Sequence, residues 1–173
     1  MSLIALATWI TTAGGGLYLL SIWLIEYDKD FQAAAATRLP PAVLVSHVLL
    51  AGGGLVAWIG YLIFDQDRLA WTAVAALAIA VTLGLTMAIR WIAVYRAGLA
   101  LRASRAGRPR HSGGATANLT VVGAEGSVTV LAPVPDIGPP ERNFPLPVVI
   151  AHGVFAAATV TLVLLTALGV GGS

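Results

Sequence analysis

Two histidines stand at matched positions in two apolar stretches of the chain. His47 closes the run Leu39-Pro40-Pro41-Ala42-Val43-Leu44-Val45-Ser46-His47, and His152 closes Phe144-Pro145-Leu146-Pro147-Val148-Val149-Ile150-Ala151-His152. In each copy a proline precedes the histidine by seven residues, with a valine at the same place, a β-branched residue two before the histidine and a small residue directly before it. Small residues follow one helical turn later, Ala51 and Gly52 after His47, Ala156 and Ala157 after His152. On a helix they share the histidine's own face.

An ionisable side chain inside a membrane helix is costly and points to function by default. A lone histidine is more simply explained as a hydrogen bond between helices. Two at equal depth on parallel helices, each with space cleared along its face, suggest a cofactor held between facing helices of a bundle. Two neutral imidazoles with a flat slot between them suit a six-coordinate haem b, which requires no cysteine. A tetrahedral zinc site would need three or four ligands, and no others accompany the pair; Met87 as a third ligand to copper is a weak alternative. Arg90 is expected about 9 Å inside the interface marked by Arg96. Two readings stand side by side for it: pairing with a haem propionate, or snorkelling to the nearby interface.

The elements that must position these residues are membrane helices. Of 173 residues, 58% are hydrophobic and 10% charged, with mean hydropathy +0.86, whereas a soluble domain carries about 25% charged residues. About 20 apolar residues are needed to span a bilayer, and four segments qualify, over about residues 3–25, 41–64, 69–95 and 147–170. The expected fold is therefore an all-α integral membrane bundle of four transmembrane helices, residues 1–96 and 147–173, with a long loop at 97–146. The first segment lacks a positive n-region and is long for a signal sequence, so it is read as a mature helix. Lys29, Arg38, Arg96, Arg102, Arg105, Arg108, Arg110 and Arg142 fall on one side of the expected bundle and Arg68 on the other. The positive-inside rule then places the long loop in the cytoplasm and both termini outside. Arginine over lysine in an Ala/Gly/Val-rich chain suggests a bacterial plasma membrane.

Within the loop, a basic run to Arg110 is expected to extend the third helix and meet anionic lipid. Nucleic-acid binding is disfavoured, because no aromatic residues are interleaved with the basic ones. The stretch Ala117–Val134 alternates apolar and polar residues on both sides of Ala124-Glu125-Gly126-Ser127 and reads as a β-hairpin. Gly14–Gly16 and Gly52–Gly54 read as sites of close helix approach. Trp23, Tyr27, Trp91 and Tyr95 read as an interfacial aromatic belt. The absence of cysteine excludes disulfides, iron–sulfur clusters and covalently attached haem, and no nucleophile–base set is visible.

On His47, His152 and the bundle, the sequence resembles small b-type membrane cytochromes, in which a helical bundle clamps haem between two histidines. In site geometry it is also similar to the haem-bearing membrane anchors of succinate dehydrogenase. The resemblance implies a single-haem electron-transfer protein or a subunit of a redox complex. His47 and His152 would be axial ligands, and a membrane quinone and other redox subunits the partners. With two membrane histidines instead of four, one haem is expected and not a trans-membrane pair. Two other classes remain: an accessory or scaffold subunit whose histidines bond between helices, and a small transporter, which would want acidic residues or broken helices at the midplane.

Overall fold

The computed structural model describes residues 1–26, 37–106, 116–123, 126–133 and 139–170. The basic positions from Arg108 to Arg110, His111 and Tyr27 lie outside the described residues. Four helices run in chain order: α1 over Ser2–Glu26, α2 over Pro41–Phe64, α3 over Asp67–Ala106 and α4 over Leu146–Ala167. All four are long and apolar enough to cross a membrane, with mean hydropathy of 1.5 to 2.3 in their most apolar windows. Their outward faces remain apolar, as at Leu3, Ile25, Val56 and Ile63. Such surface suits lipid, since a soluble protein rarely exposes so continuous an apolar area. Thr116–Gly123 pairs antiparallel with Gly126–Pro133, Thr120 opposite Thr129, and the remainder of the described fold is helical.

Prolines start the two histidine helices. Pro40 and Pro145 occupy the N-cap positions, with Pro41 and Pro147 in the first turns, where a missing N–H costs nothing and a fixed φ favours the helix. Between α2 and α3 the chain reverses through Asp65 and Gln66. Asp65 takes the left-handed conformation (φ 49°, ψ 41°), and its N–H bonds to Tyr61 O at 2.9 Å. Aspartate tolerates that region better than most residues. This tight turn lays α3 along α2, and α4 lies along α1, so each histidine helix has one principal neighbour. The third helix is 40 residues long, about 60 Å at 1.5 Å per residue, and extends well past the apolar stretch expected at 69–95.

The most closely packed region is at the end of the bundle that carries the Asp65 turn. Ala5 and Trp9 of α1, Trp58 of α2, Ala70, Ala73 and Leu77 of α3 and Val163 of α4 form one buried cluster there. Trp58 is 0% exposed. Gly54 makes room for Trp9, since a Cβ at Gly54 would lie 3.1 Å from Trp9 Cζ2 and 3.2 Å from the Ala76 Cβ. Close approach through small residues is what holds helices together in lipid, where burial of apolar surface gives no drive.

The opposite end is closed by a short 3-10 turn, η1, over Pro140–Asn143. Glu141 is fully buried. Its Oε1 accepts the Arg38 N–H at 2.7 Å and its Oε2 the Thr37 hydroxyl at 3.1 Å. Its main-chain carbonyl accepts Trp91 Nε1–H at 3.1 Å. Glu141 thus joins three parts of the fold, its carboxylate holding the segment entering α2 and its main-chain carbonyl the flank of α3, from its own place in the segment entering α4. Trp23 and Trp91 are 3% and 6% exposed. They are therefore interior residues of this end and not a belt facing the interface. The Trp91 indole bonds to η1, a tertiary effect that hydropathy alone does not carry.

Candidate histidine site

His47 and His152 come together between the helices. Each stands six residues inside its helix, about 9 Å from the helix start. Their ring centroids are 6.4 Å apart, with ring planes at 64°. His47 Nδ1 lies 2.8 Å from the Ala80 carbonyl oxygen on α3, and His152 Nδ1 lies 2.9 Å from the Thr12 carbonyl oxygen on α1. A carbonyl can only accept, so each Nδ1 carries the proton and donates. In the neutral ring that leaves Nε2 bare, on the far side of the imidazole from its carbonyl. This is how metal-binding histidines are held, with one nitrogen fixed by a backbone carbonyl and the other carrying the lone pair.

Glycines form the seats of both rings. A Cβ at Gly84 would lie 3.1 Å from His47 Cε1, and one at Gly16 would lie 3.0 Å from His152 Cε1. Gly15 also borders His152, at 3.6 Å from Nδ1. In each case the accepting carbonyl stands four residues before the glycine: Ala80 before Gly84, Thr12 before Gly16. The two half-sites match residue for residue along their helices. In register with one another on α1 and α3 are Ala5 and Ala73, Trp9 and Leu77, Thr12 and Ala80, Gly16 and Gly84, and Trp23 and Trp91. On α2 and α4, Gly54 and Trp58 match Thr159 and Val163, all four buried.

The other expected site residues fall less uniformly. Ala51 and Ala156 are half-buried. Gly52 is on the outer surface, with nothing within 4 Å of where its Cβ would be. Arg90 is exposed, and its Nη1 donates to the Arg38 carbonyl at 3.1 Å, so it steadies the segment that Glu141 also holds. That bond takes one of the five guanidinium donors. Beside His152, a groove of about 450 Å³ opens outward between α1 and α4, lined by Thr11, Gly15, Pro147, Val148, Ala151 and Phe155 as well as the imidazole. Just beyond the histidines, Thr12 and Thr159 bring their hydroxyl oxygens to 3.3 Å. Among the described residues, no group of three or more His, Cys, Asp or Glu side chains is placed to hold a metal ion.

The hydropathy pattern missed Gly84 and the carbonyl seats, because a membrane helix is apolar on every side and its inward stripe is unmarked. The signal was present as the repeat of Gly16, Trp23 and Tyr27 in Gly84, Trp91 and Tyr95. Glu141 carried no such signal. Compared with protein-family models, with curated proteins and with solved structures, the chain shows no significant match.

Proposed function

We propose that this protein is a haem b-binding membrane electron-transfer protein, or the membrane subunit of a redox complex, with His47 and His152 as axial ligands through Nε2. One observation carries the reading: two imidazoles with Nδ1 committed to carbonyls and ring centroids 6.4 Å apart. Two imidazoles on opposite sides of one metal, at bonds of about 2 Å, have ring centres about 6 Å apart. Tetrahedral neighbours would bring them to about 5 Å. Bound haem would supply one-electron chemistry.

The protein's own residues do the rest in this reading. His47 and His152 hold the iron from two helices and set its potential through their hydrogen bonds. Ala51 and Ala156 keep side-chain bulk low on the histidine helices, and the remaining donors of Arg90 would serve a propionate. The Arg-rich end faces the cytoplasm of a bacterial cell, and loop 97–146 with its hairpin offers a docking surface to a redox partner. With haem bound, electrons would pass one at a time between a membrane quinone and that partner.

The test is a visible absorption spectrum of the detergent-purified protein, oxidised and then dithionite-reduced. A sharp Soret band with resolved α and β bands on reduction is expected, lost in His47→Ala and in His152→Ala. A colourless protein after expression with ample haem would overturn the reading.

A second reading has its own support. Each histidine ties its helix to a neighbour, α2 to α3 and α4 to α1, as a purely structural histidine would. In an accessory subunit the wild type is colourless, and the two substitutions weaken the bundle only.

A further inference from the structure

We infer that Gly16 and Gly84 are positioning residues that fix the tautomer of the two histidines before any ligand arrives. This builds on the histidine site proposed above but stands on separate geometry. In a helix, the Cα–Cβ bond tilts toward the N-terminus, so the side chain at position i+4 leans back over the carbonyl of residue i. That carbonyl already accepts the i+4 amide. A ring from a neighbouring helix comes closest to its remaining lone pair where the i+4 side chain is absent. Ala80 with Gly84 and Thr12 with Gly16 meet this condition on two helices, and an imidazole uses it on each.

The bare side of the ring follows from the occupied side. With Nδ1–H held by a carbonyl, Nε2 presents its lone pair without deprotonation or rotation. The site is thus prepared for an electrophilic metal centre, and less so for a ligand that needs a donated hydrogen bond at Nε2. Alanine at Gly16 would press on His152 alone, and alanine at Gly84 on His47 alone. Gly53 is the control, since a Cβ there meets nothing within 4 Å.

The experiment is nitrogen NMR of histidine-labelled full-length protein in lipid nanodiscs, without haem, at a pH where imidazole is neutral. A His111→Gln background leaves only the two histidines of interest. Both are expected as the Nδ1–H tautomer. Gly16→Ala should perturb only His152, Gly84→Ala only His47, and Gly53→Ala neither, with helical content by circular dichroism unchanged. Where haem binds, each seat variant should retain it about 10–100-fold more weakly, the usual effect of losing such a supporting contact.

A wild-type proton on Nε2 of either ring overturns the inference, and needs no variant to be seen. Unchanged resonances in Gly16→Ala and Gly84→Ala also overturn it. Expected tautomers in a protein that never takes up haem would sink the haem reading and leave the positioning role standing.

Discussion

The two ends of this bundle solve the space between four helices in opposite ways. Toward the Asp65 turn, large side chains fill it: Trp9, Trp58, Leu77 and Val163 interlock around Gly54. At the histidine level the backbone itself comes forward, and glycines make room for two polar rings that bond to main-chain carbonyls. The first arrangement is well suited to stability and has no chemistry to offer. The second gives up apolar contact to hold two lone pairs in place. Packing and the proposed histidine site thus lie along the same helices at different levels, and substitutions at each level should separate them.

The largest expected effect is at the packed end. Trp58→Ala removes a fully buried indole and should cost about 3–5 kcal/mol, measured as loss of resistance to unfolding in mixed micelles. Its histidine tautomers should persist in the folded fraction. A comparable collapse of both properties would show that the two depths are not independent.

Gly54→Val comes next. Its Cβ alone would meet Trp9 and Ala76 at 3.1–3.2 Å, and overpacking of this kind costs about 1–3 kcal/mol. Glu141→Ala should cost a similar amount, about 1–3 kcal/mol, by stranding the Arg38 amide and taking one partner from the Thr37 hydroxyl, which keeps its bonds with Leu39. The same unfolding assay reads both. His47→Ala should cost less, about 1 kcal/mol, the usual worth of one interhelical bond in lipid. If it destabilised as much as Trp58→Ala, the histidine pair would be a structural keystone. The smallest effect belongs to Gly52→Ala, which faces open space. It should be neutral or raise stability by up to about 1 kcal/mol through helix propensity.

How much of this could be read from residues alone differs by element. The four spans follow directly from apolar length, and their ends are signalled by Pro40, Pro41, Pro145, Pro147 and the Asp65 region. The pairing of His47 with His152 follows from a repeated run of nine residues. The partners of those rings do not. Backbone carbonyls have no sequence signature, and the choice of Gly16 and Gly84 over Gly14, Gly52 and Gly53 depends on which helix lies opposite. The interior position of Trp23 and Trp91 and the buried role of Glu141 depend in the same way on how η1 folds back. Beyond the repeat of Gly16 and Trp23 in Gly84 and Trp91, no pattern announces them.

The length of α3 has a consequence at the membrane surface. At about 60 Å it is roughly twice the thickness of the hydrocarbon layer, and its final turns carry Arg96 and Arg102. The helix is therefore a mast as well as a span. Whatever follows Ala106 in the chain starts at the end of this helix, at a distance from the bundle ruled by helical rise. Inserting or deleting one turn near Ala100 would raise or lower that platform while leaving the bundle below untouched.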